Sequence, residues 1–141
     1  IATIWRPDLV YTHFIGDLNI DHSTLCRAVL TAFRPLPKQS VREILGFEVL
    51  SSTEWGVSEP FKPDTFVDVT EYLETIKLAY ADYALEQRPD PHARSAEAAI
   101  LRRQSLGRSV GVYAAEASVT YRRLIATEKM ILEDAFEDNK H

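Results

Sequence analysis

The sequence is short of several things, and each shortage excludes a class of protein. It holds one cysteine, Cys26, so neither an internal disulfide nor a cysteine-rich zinc knuckle can form within it. Cys26 sits in an apolar helical run, where a thiol behaves as a small buried hydrophobe; that suits a reducing compartment, and the expected location is cytoplasmic. No apolar run approaches the roughly 20 residues a helix needs to span a bilayer, so no membrane span is expected. Positive charge is not in excess: 16 Lys and Arg stand against 21 Asp and Glu, a formal net charge of -5. Phosphate backbones are recognised by basic faces, so a nucleic-acid partner is not expected either. Internal repeats, low-complexity stretches and linkers are also missing. The first residue is Ile1 and not methionine, which points to a chain that is processed, truncated or partial.

What is present suits one folded domain. The 141 residues are 45% hydrophobic and 26% charged, ordinary values for a globular chain that can offset its ordering entropy. Leu9 to Phe14 has the β-branched and aromatic content of a buried strand. Gly16 to Ile20 reads as loop. Asp21 then reads as the N-cap of a helix from His22 to Arg34, with Leu25, Cys26, Val29, Leu30 and Phe33 recurring at helical spacing until Pro35 and Pro37 stop it. Val41 to Leu50 and Phe66 to Val69 are further strands, separated by a polar loop that carries Trp55. A long helix is expected from Thr70 to about Gln87, with Tyr72, Tyr80 and Tyr83 on its core stripe. Pro89 to His92 breaks it. Ser95 starts another helix, which runs to about Leu106. Tyr113 to Ala117 reads as helical, Val119 to Ile125 as a last strand, and residues 126–141 as a charged tail. Strands alternating with helices argue an α/β fold with a mostly parallel sheet.

The densest polar cluster is His13-Phe14-Ile15-Gly16-Asp17-Leu18-Asn19-Ile20-Asp21-His22, where a strand ends and a helix begins. Ligands of open α/β sheets bind at that end of the strands. Imidazole and carboxylate side chains at this density can hold a divalent metal or move protons. Turn formers followed by a helix cap account for Gly16, Asn19 and Asp21 equally well. Asp17-x-Asn19-x-Asp21 imitates a calcium loop but lacks its glycine and its closing glutamate, where His22 and Ala28 stand instead.

Tyr11-Thr12-His13 with Gly16-Asp17-Leu18-Asn19-Ile20-Asp21-His22 resembles a signature of the LmbE-like, or PIG-L, family of zinc-dependent deacetylases. The resemblance continues in order through Phe47 to Trp55, which is similar to a segment of one bacterial branch, then through Phe66 to Val69. Pro91-His92-Ala93-Arg94-Ser95 and Gly111-Val112 to Ala115-Glu116-Ala117 extend it, with Ser118 where the family carries phenylalanine. It spans about Arg6 to Ile125.

The resemblance implies a Rossmann-like domain with helices on both faces of its sheet. The implied reaction removes an acetyl group from an N-acetylated amino sugar or its conjugate. One zinc ion is implied, with His22 as a ligand, and with Asp21 and His13 as the catalytic candidates. Asp17 is then a supporting carboxylate behind the metal ligand. Asn19 stands where many members carry a histidine that protonates the leaving amine; an amide cannot transfer that proton, so the role falls to His13 in the same loop, to His92, or to a different acid. Asn19, Trp55, His92 and Arg94 are the substrate-binding candidates. For His92 and Arg94 a plain helix-entry loop capped by Ser95 is the alternative, and for Trp55 packing on its own domain. Arg102, Arg103 and Arg108 read as a solvated face.

The family's His-Pro-Asp-Asp motif, source of the other zinc ligands and the base, does not occur in this sequence. Residues 1–125 are therefore expected to be the C-terminal portion of one such domain, without its N-terminal strands. A chain of that kind should associate, with itself or with the missing N-terminal part. The other class of function open to it is a non-catalytic remnant that binds a sugar or a partner.

Overall fold

In a computed structural model, described here for residues 5–83 and 85–125, the chain is a four-stranded sheet with helices packed against it. The elements are β1 (Leu9–His13), α1 (Ile20–Ala32), β2 (Glu43–Phe47), β3 (Thr65–Asp68), a 3-10 turn (Thr70–Tyr72), α2 (Leu73–Asp82), α3 (Ala96–Ser109) and β4 (Ala115–Arg123). The α/β class is as expected. The sheet order is β1-β2-β4-β3. β1 pairs with β2 in parallel, whereas β4 runs antiparallel to both β2 and β3.

This corrects the expectation of a mostly parallel sheet: β1, β2 and β3 share one direction, but β4 is inserted between β2 and β3 against it. These three strands therefore run toward the same end of the sheet, with His13 level with Phe47, and Phe47 level across β4 with Thr65 at the start of β3. No helix among the described residues is long and apolar enough to cross a membrane.

The core follows from the sheet order. β2 is interior, and its Ile44 and Leu45 are almost wholly buried. On β4, Ala115 and Ala117 pack with Leu106 of α3, flanked by Phe66 and Val112. A second cluster joins Val69, Leu73 and Ala114, with Ile76 and Ile100 against it. The sequence of β4 reads as helical at Tyr113 to Ala117 because alanine and glutamate favour helices. Packing overrides that preference. α3 lies so close to the backbone of Ala114 that a Cβ on Gly107 would sit 2.5 Å from its Cα, and only small side chains fit beside such a contact. Gly107 does not break α3, which runs on to Ser109.

Two helix starts are capped, as the orphan amides of a first turn require. Ser95, almost fully buried, accepts a hydrogen bond from the Ala98 amide at 3.0 Å. The cap of α1 is Asn19 and not Asp21: its side-chain oxygen accepts from the Asp21 amide at 2.9 Å, and the helix starts two residues earlier than expected. α2 ends at Asp82, short of Gln87, and Tyr72 and Tyr83 are 60% and 68% exposed rather than in the core.

β4 also ties the first half of the chain together. The Tyr121 hydroxyl accepts from the Ile15 amide at 2.7 Å, and Arg122 donates to the carbonyls of Phe33 and Val41 at 2.7 and 2.9 Å. The Tyr121 ring fills the space over Gly46, where a Cβ would meet it at 2.5 Å. The expected tail, residues 126–141, lies outside the described residues, as do residues 1–4.

Gly107→Ala should destabilise the fold by about 3 kcal/mol, the upper end of an overpacking penalty, despite alanine's better helix propensity. Gly111→Ala, with positive φ but open space around it, should cost about 1 kcal/mol. Urea denaturation of both variants checks this; a smaller loss at Gly107 would contradict the close approach of α3 to Ala114.

Candidate functional site

The loop between β1 and α1 is built around a buried carboxylate. Asp17 is 6% exposed, and a charge taken out of water must be matched by donors. Its Oδ2 accepts from the hydroxyls of Thr53 at 2.6 Å and Ser52 at 2.9 Å, and its Oδ1 from the Asn19 amide at 2.8 Å. The His22 ring presents Nδ1 at 3.2 Å from the same Oδ1, an ion-pair distance at an angle too poor for a well-formed hydrogen bond. Burial alone would raise the Asp17 pKa, but the donors of Thr53, Asn19 and Ser52 together with His22 outweigh it, so the carboxyl lies below its ordinary value. Asp17 is thus an anion held against one face of the loop.

His22 lies on the first turn of α1, and the cap at Asn19 sets where that turn points. Its Nε2 is 3.4 Å from the Asn19 side-chain nitrogen, a loose contact. The His13 ring, at the end of β1, stacks on His22 with centroids 4.1 Å apart and planes 16° from parallel. Phe47, the residue paired with His13 in the β1–β2 register, tilts against the His13 ring at 4.8 Å. Burial, then the neighbouring His22, lower the His13 pKa, against a smaller upward pull from Asp17. The His13 Nδ1 is buried without a hydrogen-bond partner.

The sequence-derived candidates divide cleanly. His13, Asp17, Asn19 and His22 come together. Asp21 is exposed on the first turn of α1, and the carboxylate in contact with His22 is Asp17 instead. Helical geometry explains this: adjacent residues point in different directions, so Asp21 cannot face its neighbour's ring. Trp55 and His92 form a separate pair, edge to face at 6.1 Å. Arg94 donates from Nε to Ser51 Oγ at 2.5 Å and pairs with Glu86 at 3.0 Å.

His22 and Arg94 both line a cavity of about 890 Å³, whose other walls include Phe47, Tyr80, Tyr83 and Leu106. That volume is in the range of small-molecule sites. Arg102 and Arg103 line it too, and neither is a free surface cation. Arg102 makes a bidentate contact with Glu48 that holds its guanidinium charged, and Arg103 pairs with Glu116 at 2.7 Å. For Arg102 and Arg103 the expectation of a solvated face is corrected here, as is that of a tyrosine core stripe, whereas Arg108 is exposed as expected. Helical spacing shows which residues share a face, not whether that face meets core or cavity. His13, Trp55 and His92 are not among the lining residues.

The site also uses residues that carried no role in the sequence reading. Ser51, Ser52 and Thr53 are all buried, and they connect Arg94 on one side to Asp17 on the other. Ser51 has a positive φ of 67°, a strained conformation for a side chain with a Cβ. Three consecutive hydroxyl residues just after a strand were the available signal. Across the same loop, a Cβ on Gly56 would lie 2.2 Å from the Gly16 carbonyl oxygen, so only glycine allows these two backbones to touch.

Neither a protein-family model nor a curated protein matches the sequence. Among solved structures, the chain is similar to the conserved protein TT1542 from Thermus thermophilus, with a TM-score of 0.67 and 19% sequence identity. The match covers 90% of this chain and 57% of that one, so this chain spans little more than half of that structure's length. At that identity the likeness is one of fold.

The depressed Asp17 pKa has a signed consequence. A carboxyl that is more acidic folded than unfolded stabilises the fold above its unfolded pKa, near the ordinary 3.8, and loses that contribution as pH falls through the folded value. Native protein should therefore lose stability steeply below about pH 4, whereas Asp17→Asn, less stable at neutral pH, should show a shallower acid limb. Chemical denaturation at several pH values reads both; parallel acid limbs would contradict the arrangement.

Proposed function

We propose that this chain is the C-terminal portion of a Rossmann-like, zinc-dependent N-deacetylase of the LmbE-like kind, acting on an N-acetylated amino sugar or its conjugate. The observation that carries the reading is the contact of His22 Nδ1 with the buried, ionised Asp17. A carboxylate beside Nδ1 favours the tautomer protonated there, which would turn the Nε2 lone pair, only loosely approached by the Asn19 side-chain amide, toward a metal. The cavity beside His22 offers tyrosine rings and apolar walls on which a sugar's apolar face can pack.

The donor set fits one corner of a catalytic zinc site and not the whole of it. Among the described residues, no group of three or more His, Cys, Asp or Glu side chains is placed to hold a metal ion. In this reading the remaining ligands belong to a His-Pro-Asp-Asp segment that the sequence does not contain. A zinc ion with three protein ligands acidifies a bound water and polarises an amide carbonyl. The residues described here have other tasks: Asp17 orients His22, the loop from Ser51 to Thr53 braces Asp17, and the cavity accepts the substrate. Arg94 has its charge matched by Glu86, so it contributes directed hydrogen bonds rather than a free positive charge. The cavity equally suits a non-catalytic sugar-binding module, and metal content separates the two.

The longest translated product that carries this sequence should hold about one zinc per chain, as catalytic sites of this type do, and should release amine from N-acetylglucosamine conjugates. His22→Ala should abolish zinc binding, and Asp17→Asn should weaken it by about 10–100-fold. Elemental analysis and competition with a chelator measure both. Zinc retained by His22→Ala would overturn the assignment, and sugar binding without zinc would favour the binding module.

A further inference from the structure

We propose that His13 is a positioning residue whose ring face sets the plane of the His22 imidazole. This rests on the reading above only in taking His22 as the working imidazole of the site. Orienting an imidazole takes two restraints, one on an edge and one on a face. Asp17 supplies the edge restraint, but its contact with Nδ1 is off the hydrogen-bond axis, and such a contact leaves the ring free to turn about its last side-chain bond. The near-parallel His13 ring at 4.1 Å supplies the face.

The support is built into the sheet. His13 and Phe47 are directly paired in the β1–β2 register, and the Phe47 ring, 4.8 Å away and tilted by 48°, packs against that of His13. The stack therefore runs from a strand pair to the first turn of α1, with His13 in the middle. The His13 Nδ1 adds little to this. Nδ1 is buried without a partner, so replacing the imidazole by a phenyl ring forfeits no hydrogen bond there while keeping the stacking face. His13 also stands outside the cavity lining, which separates this role from that of a proton donor to substrate.

Nitrogen-detected NMR of the ring nitrogens in the metal-free 141-residue chain tests this without calling on zinc or catalysis. In the native chain the Nδ1–H tautomer of His22 should exceed the other by about fivefold, less than a fully formed hydrogen bond to a charged group would give. His13→Phe should keep that ratio. His13→Leu, similar in bulk but without a ring face, should reduce it to about twofold, within the spread of weak contacts. Phe47→Leu, which leaves His13 in place without its support, should reduce it by a smaller factor. An unchanged ratio in His13→Leu, or a loss in His13→Phe equal to that in His13→Leu, overturns the proposal. If His13→Leu fails to fold by its amide spectrum, His13→Phe and Phe47→Leu decide: a native ratio in the first with a reduced ratio in the second supports it, and any other pair overturns it. Failure of the deacetylase reading is a separate result, seen as absent zinc binding with the native tautomer ratio intact.

Discussion

A carboxylate removed from water is the constraint on which the rest of the site depends. Asp17 keeps its charge because Thr53, Ser52 and the Asn19 amide surround it with donors. Those donors come from two loops far apart in sequence, one after β1 and one after β2. Satisfying the charge therefore fixes the two loops to each other. The glycine contact between Gly16 and Gly56 lets them approach closely enough to do so. Asn19 then serves twice, its amide donating to Asp17 and its side chain capping α1. That double use sets the phase of the helix and brings His22 over Asp17 rather than into solvent.

The sheet provides the second fixed reference. Parallel pairing of β1 with β2 places His13 opposite Phe47, and the Tyr121 hydroxyl holds the Ile15 amide just beyond. β4 thus reaches the site through a phenol rather than through a residue of its own in the cluster. Tyr121 is half-buried, and burial pushes its pKa well above the ordinary phenol value, so it remains a neutral hydroxyl throughout the working pH range.

Local signals made part of this legible in advance. The apolar content of Leu9 to Phe14 and Phe66 to Val69 marks β1 and β3, because strand formation there needs only a buried face. The polar run from His13 to His22 marks the candidate site, because its imidazoles and carboxylates stand at the carboxyl end of a strand, where ligands of α/β sheets bind. Direction in the sheet was not legible, since an antiparallel β4 between β2 and β3 is a matter of long-range pairing. The resemblance names Asp17 as the supporting carboxylate, but spacing alone does not choose it over Asp21. Both are aspartates near a helix start, and only the cap at Asn19 decides which one meets His22. Tyr80 and Tyr83 stand three residues apart, at ordinary helical spacing, and nothing local says that they open on a cavity.

The place of β4 has a consequence for how the molecule comes into being. Its partners β2 and β3 flank it in space but precede it in the chain, and they do not pair with each other. During synthesis both strands emerge with a gap between them that only later residues can fill. The β1–β2 pair and α1 can assemble early, but the sheet stays open until Ala115 to Arg123 have left the ribosome. Loop-closure entropy for those late, distant pairings must be met before their contacts reward it. A nascent chain halted before β4 would present two unpaired strand edges, the kind of surface that chaperones engage and that aggregation exploits.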